Sequence, residues 1–167
     1  MHAMHHTHHA LPPHRHPLWL TPAQTPAPGA GATGAGADAS FVALLDAYRR
    51  SGGLARAVEV RRMLDGQSGH GTASLARWLT QRCVISFEWQ AQTWLPRFQF
   101  LPAGPLPAEA VAAVLLELNP VFDSWEVAQW FAQPHSALGD RLPVDVLDAD
   151  PGAVLHAARR DRYIAKG

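Results

Sequence analysis

The sequence predicts a mainly α-helical fold: a small helical domain with a short β-hairpin in its middle, preceded by a disordered N-terminal tail. Three observations predict it. After residue 38, apolar side chains recur at three- and four-residue spacing, which lays them on one buried face of a helix. Only between 83 and 100 does the period fall to two, with aromatic and polar residues alternating as on a half-buried strand. Ahead of residue 39 there is no apolar period.

The elements follow in order. Residues 1–38 hold seven of the ten histidines in the first 16 positions, then the run TPAQTPAPGAGATGAGAD. Such a segment buries too little apolar surface to offset its ordering entropy. Gly29, Gly31 and Gly34 spell G-x-G-x-x-G. Prolines rather than a strand precede them, so a dinucleotide loop is not predicted. Order is expected from Ser40, with Phe41, Leu44, Leu45 and Tyr48 on one helix face and Gly52-Gly53 ending it. LARAVEVRRML predicts a helix over 54–64 with Leu54, Ala57, Val58 and Leu64 inward. The seven residues DGQSGHG then read as a loop, and Thr72 as the N-cap of a third helix burying Leu75, Trp78 and Leu79.

In CVISFEW, Cys83, Ile85, Phe87 and Trp89 alternate with Val84, Ser86 and Glu88, which predicts a strand. Gln90 to Thr93 turn, and WLPRFQF predicts a second strand that Pro96 confines to an edge or cuts short. Helices then resume. Pro107 opens one through Val111, Val114, Leu115 and Leu118, stopped by Asn119-Pro120. Asp123 and Glu126 form a D-x-x-E capping box on a helix with Val127, Trp130 and Phe131 inward, stopped by Pro134. A short turn of helix starts at Pro143, and Asp150-Pro151 opens the last helix through Val154, Leu155 and Ala158.

Composition limits the function classes. With 167 residues, 47% apolar and 17% charged, the chain suits one domain plus tails. No apolar run approaches the ~20 residues of a membrane span, and the start lacks the apolar core of a secretory signal, so a soluble cytoplasmic protein without a membrane partner is expected. The formal net charge is +0 but is unevenly spread: +3 over 38–82, −7 over 83–158 and +3 over 159–167. That pattern suggests more than one binding surface. The single cysteine, Cys83, excludes an internal disulfide and a four-cysteine zinc site.

Catalytic chemistry is not expected. Cys83 reads as a small hydrophobe, and His70, His135 and His156 lack a second ligand at i+2 to i+4, so no zinc signature exists. No Walker loop, G-x-S-x-G elbow or kinase signature occurs. Neither a cofactor nor a metal is expected, the histidine-rich start reading as tail. The module over 39–82 contains a degenerate helix-turn-helix, with Arg61, Arg62, Arg77 and Arg82 available to phosphates. Its predicted seven-residue loop exceeds the three or four residues of the motif. Beyond these, the many rings of 83–143 exceed what a small core needs, and surplus Trp is a candidate anchor for a protein partner.

The succession WLPRFQF, VLLELNPVFDSWEVAQWF, QPHSALGDRLPVDVL and AVLHAARRDR resembles the toxin-binding domain of the Xre/MbcA/ParS-type antitoxins. The resemblance runs over about 84–165 and rests on Pro96, Phe98, Gln99, Phe100, Asp123, Trp125, Trp130, Phe131, Pro134, Leu138, Pro143, Asp145 and Leu147. His135 departs from the asparagine usual after the proline. The resemblance implies a toxin-binding domain over 83–167 and a non-catalytic antitoxin that covers the active site of a RES-domain, NAD-consuming toxin. It also implies a homodimer and operator DNA as a further partner. The residues expected to meet the toxin are Trp125, Pro134, Leu138, Gly139, Pro143, Asp145, Arg159, Arg160, Arg162 and Tyr163. The last four are expected to be exposed, and residues 159–167 dispensable for folding. The alternative is a helix-turn-helix transcriptional regulator with no toxin partner.

Overall fold

The structure, a computed structural model, describes residues 34–68, 71–100 and 108–167. It is mainly helical with a small antiparallel sheet in the middle, as the periodicities predict. Up to residue 33 the predicted tail lies outside the described residues, as do Pro107 and His70. The first helix, α1 (Gly34–Tyr48), starts six residues ahead of Ser40. A 3₁₀ turn over Arg49–Ser51 closes it on Gly52, whose φ of 95° only glycine adopts freely.

Between α1 and the next helix the structure departs from expectation. Leu54–Arg56 is a strand, β1, not the first turn of a helix, and α2 runs Ala57–Ser68. Leu54 to Arg56 pair antiparallel with Pro96 to Trp94, so long-range pairing overrides a helical pattern carried by only one apolar residue there. The loop predicted over 65–71 is largely helix: α2 continues to Ser68 and α3 (Gly71–Thr80) begins three residues later, ahead of Thr72.

The hairpin is shorter than predicted. β2 is Phe87–Trp89 and β3 is Gln92–Pro96, joined by Gln90 and Ala91 with φ of 49° and 55°, the left-handed pair of a tight two-residue hairpin turn. The strand order is β1-β3-β2, so Pro96 lies in the central strand, not an edge one, but it does cut the strand short, since β3 ends there. It is tolerated there as the terminal residue, where the ladder needs no further donor. Residues 83–86 form no strand because Ile85 has another partner. Its N–H and C=O bond the Gln99 side-chain amide at 2.7 and 2.9 Å, and Gln99 also donates to the Pro96 carbonyl at 3.0 Å. Gln99 is 0% exposed and sits in a 3₁₀ turn, Arg97–Phe100, that replaces the end of the predicted second strand.

The second half follows its sequence signals closely. α4 is Glu109–Leu118, α5 is Ser124–Ala132, α6 is Pro143–Val146 and α7 is Pro151–Lys166. The Asp123–Glu126 capping box is complete, with both reciprocal bonds at 2.8 Å. Asp150 caps α7 by accepting from the Ala153 amide at 2.9 Å.

Two apolar clusters result. The larger joins α1 to α4, α5, α6 and α7 through Phe41, Tyr48, Phe87, Trp125, Phe131 and their neighbours. The smaller lies under α2 and α3, with Val60, Leu64, Trp78, Leu95 and Phe100. The sheet links them, because β1 precedes residue 82 and β3 follows it. Tyr48 ties α1 to α5 by donating to the Ala128 carbonyl at 2.7 Å, and full burial pushes its phenol pKa upward. Packing of α4 on α7 completes the frame that carries the candidate site.

Candidate binding surface

The site is built where the loop after α5 meets the middle of α7. Pro134 ends α5, and His135 begins a 3₁₀ turn over Ser136–Leu138. The turn is closed by backbone bonds: His135 donates to the Arg141 carbonyl at 3.0 Å, while Leu138 and Asp140 donate to the His135 carbonyl at 2.9 and 3.1 Å. Gly139 and Asp140 take φ of 66° and 59°, which glycine and aspartate accept more readily than other residues. The His135 side chain caps the turn, its Nδ1 accepting from the Ala137 amide at 3.1 Å. A nitrogen that accepts carries no proton, so the imidazole proton lies on Nε2.

That proton points at Asp161 of α7. His135 Nε2 lies 2.9 Å from Asp161 Oδ2, and the Trp130 indole N–H donates to the same oxygen at 2.7 Å. Asp161 is 7% exposed and His135 8%. The other oxygen, Oδ1, is buried without a hydrogen-bond donor. Both residues line a cavity of about 210 Å³, with Trp130, Gln133, Ser136 and Asp140.

Beside this buried group, α7 has two different outer faces. Arg159 and Arg162 turn to Glu117 of α4 at 3.1 and 2.7 Å, and these bonds hold the Glu117 carboxyl below its ordinary range. The neighbouring face carries His156, Arg160 and Tyr163 at i, i+4 and i+7, all exposed, with Tyr163 at 82%. Arg160 makes no ion pair among the described residues.

The residues expected to meet a partner divide accordingly. Arg160 and Tyr163 are exposed and free, and Pro134, Gly139 and Asp145 are exposed. Trp125 is a core residue at 5% exposure, edge-on to Phe87 with ring centroids 5.0 Å apart. Leu138 and Pro143 are buried too. Trp125 from α5 and Leu138 from the 3₁₀ turn enter the main cluster and Pro143 is buried at the start of α6, so none of the three presents its side chain outward. Arg162 is only half-exposed, and Arg159 and Arg162 are tied to Glu117, so the segment 159–167 is not the loose basic end expected. Trp130, expected on the core face, is half-buried at the rim of the cavity.

Among the cationic residues of the first module, Arg61, Arg62 and Arg77 are exposed. Arg82 is engaged: its guanidinium donates to the carbonyls of Asn119 and Phe122 at 3.3 Å each, capping the end of α4. Sequence reasoning missed Asp161, read there as one acid in a basic run. Its signal is present: Val154, Ala157, Ala158 and Asp161 are spaced i, i+3, i+4 and i+7, which places a carboxylate on the buried face.

Among the described residues no three metal-ligating side chains converge, and no helix is long and apolar enough to cross a membrane. No family model matches the chain, and no match was found among curated proteins or solved structures. The chain is thus a mainly helical protein with a small central sheet, whose last helix carries an exposed stripe of His156, Arg160 and Tyr163.

Proposed function

We propose that the chain is the antitoxin of a type II toxin–antitoxin pair, a cytoplasmic binding protein that neutralises a RES-type NAD-consuming toxin by covering its active site. The observation that carries the reading is the exposed stripe of His156, Arg160 and Tyr163 on α7. Tyr and Arg are the residues most enriched, with Trp, among interface hot spots. A ring exposed this far, beside a guanidinium with no internal partner, contributes little to the fold and is free for another protein. The sequence resemblance supplies the kind of partner, together with the expectation of a homodimer. Residues that carry the resemblance, such as Gln99, Asp123, Phe131 and Leu147, serve the core and the helix caps. They support a shared domain, while the contact surface falls on α7.

The test is co-expression with the product of an adjacent gene encoding a RES-domain protein, followed by co-purification and growth rescue. Tyr163→Ala with Arg160→Ala should keep the melting temperature and weaken binding by at least about thirtyfold, the effect of one hot spot worth about 2 kcal/mol. A double variant that still binds and protects fully would overturn the assignment.

A second reading is supported by α2 and α3. They are packed together with only two residues between them, so the long loop that argued against a helix-turn-helix is absent. Arg61, Arg62 and Arg77 lie exposed on that pair. A regulator acting through these residues would bind upstream DNA with an affinity that falls steeply with salt. Replacing the three arginines by Gln would then abolish DNA binding without touching toxin rescue.

A further inference from the structure

We propose that the outward stripe of α1 is a self-pairing surface: two copies of the chain dock antiparallel along it, with Val42 of each on Leu45 of the other and Asp38 on Arg49. The stripe follows from helical phase. Asp38, Val42, Leu45 and Arg49 are spaced i, i+4, i+7 and i+11, which lays them along one side of α1 and the 3₁₀ turn that extends it. The fold uses a different side of the helix, where Phe41, Leu44 and Tyr48 enter the main cluster. All four stripe residues are exposed, Val42 at 60%. A single exposed aliphatic side chain is ordinary. A Val and a Leu one turn apart, with an acid beyond one and a base beyond the other, form a pattern.

That pattern names the occupant. In a two-fold contact residue i meets j and j meets i, so the surface must be complementary to itself. Val42 and Leu45 lie equally far from the point between Ala43 and Leu44, and so do Asp38 and Arg49. Turning a second α1 about a two-fold axis there sets each Val42 on a Leu45 and each Asp38 on an Arg49, two apolar contacts between two ion pairs. Parallel alignment would set Asp38 on Asp38 and Arg49 on Arg49, which like-charge repulsion opposes. A partner of one charge sign would satisfy one end of the stripe and be repelled at the other. Both charges are available: Asp38 makes no ion pair among the described residues, and Arg49 meets Asp46 at 3.2 Å in an exposed pair, with guanidinium donors left for a second carboxylate.

Size sets the strength of the contact. At 1.5 Å per residue the stripe is about 16 Å long, and one pair of crossing helices covers less than the roughly 1,200 Å² at which stable interfaces begin. Association on this face is therefore reversible and is read at high protein concentration. The surface gives the expected homodimer a place, but it rests on α1 and not on the toxin reading, and it uses none of the residues expected to meet a toxin.

The experiment is sedimentation equilibrium of the full chain at low salt, from about 10 μM to about 1 mM, with thermal melting of every variant. A monomer–dimer equilibrium that weakens as salt screens the end pairs is expected. Val42 is exposed, so Val42→Asp should keep the melting temperature and weaken association at least about tenfold. Asp38→Arg alone and Arg49→Asp alone should each weaken it at least about tenfold, because both ends of the contact then carry like charges. Mixed one to one, these two variants should associate with each other. The added arginine of one then faces the added aspartate of the other, and the native Arg49 of the first faces the native Asp38 of the second. Failure of the two folded variants to pair on mixing, dimerisation of Val42→Asp equal to the parent's, or a parent chain monomeric at about 1 mM would each overturn the proposal. A monomeric chain whose melting temperature falls in Val42→Asp would give the face to another segment of the same chain. Loss of toxin rescue in Val42→Asp with an intact dimer would give it to the toxin, and either result overturns the pairing. A monomeric chain that rescues growth would refute the pairing and leave the toxin reading standing.

Discussion

Two truncations of α7 that differ by four residues should differ sharply in stability. Ending the chain at Arg162 removes Tyr163, Ile164 and Lys166, all exposed, and keeps Asp161 with both of its donors. Surface losses of this kind stay within about 0.5 kcal/mol. Ending it at Ala158 removes Asp161 and orphans the Trp130 indole N–H and the buried His135 Nε2–H. Each orphaned donor costs about 1–3 kcal/mol, with Trp130 at the lower end because it is half-buried and can rehydrate. Loss of the Arg159 and Arg162 pairs with Glu117 adds about 0–1 kcal/mol apiece. The sum is about 2–6 kcal/mol, and at roughly 4 °C per kcal/mol for a domain of this size the melting temperature should fall by about 8–24 °C. Differential scanning calorimetry of the two truncations beside the full chain reads this directly. Asp161→Asn in the full chain, which keeps one acceptor for both donors, should recover most of the difference. If the chain ending at Ala158 melts within about 3 °C of the full chain, Asp161 does not anchor the loop to α7 and the reasoning fails.

Other outcomes follow from the same contacts. Gln99→Leu fills the space but leaves the Ile85 N–H and C=O without partners, so it should cost about 2–4 kcal/mol in urea unfolding; a loss below about 0.5 kcal/mol would mean that Ile85 is satisfied otherwise. For Glu117 the arginine bonds lower the folded pKa, so its contribution is complete above the ordinary glutamate value of about 4.3 and is lost as pH falls through the lower folded value. Glu117→Gln should therefore be less stable than the parent at neutral pH, with the gap closing on acidification below about pH 4.3. A gap that stays constant from neutral to acid pH would show that Glu117 gains nothing from Arg159 and Arg162. Glu59 titrates alike in both proteins through Arg56, so the difference isolates Glu117.

Where one signal acted alone, the sequence was legible. The capping box at Asp123, the proline starts of α6 and α7 and the apolar face of α4 all appear where their residues place them. These are local interactions, completed within four residues, and nothing distant competes with them. Legibility failed where a partner far along the chain decided. Leu54–Arg56 became a strand because Trp94–Pro96 offers it a ladder, and 83–86 lost its strand because the Gln99 side chain, fourteen residues on from Ile85, took the bonds a neighbouring strand would have made. At the site, exposure was misjudged from residue type. Trp125 and Pro143 looked like interface anchors and are core, because large rings and prolines fill interiors as readily as they dock partners. Asp161 erred the other way: its charge and its basic neighbours suggested the surface, while its helical phase with Val154, Ala157 and Ala158 placed it inside.

The buried carboxylate also changes what the basic end of the chain can offer. Counted along the sequence, 159–167 carries a charge of +3. In the fold, Arg159 and Arg162 share one carboxylate, Glu117, which lies outside the segment and offsets one of their two charges, while Asp161 points away from it into the loop. The outward-facing cations without an ion pair among the described residues are Arg160 and Lys166, and between them stands Tyr163. A partner on this face therefore meets two separated charges around an aromatic ring, a pattern that favours a shaped contact with another protein over the many phosphate contacts that bind nucleic acid. The faces are separable by design: Asp161, Arg159 and Arg162 hold α7 to the body, and Arg160 and Tyr163 present it. Substitutions on the outward face can be read as losses of binding, whereas those on the inward face confound binding with folding.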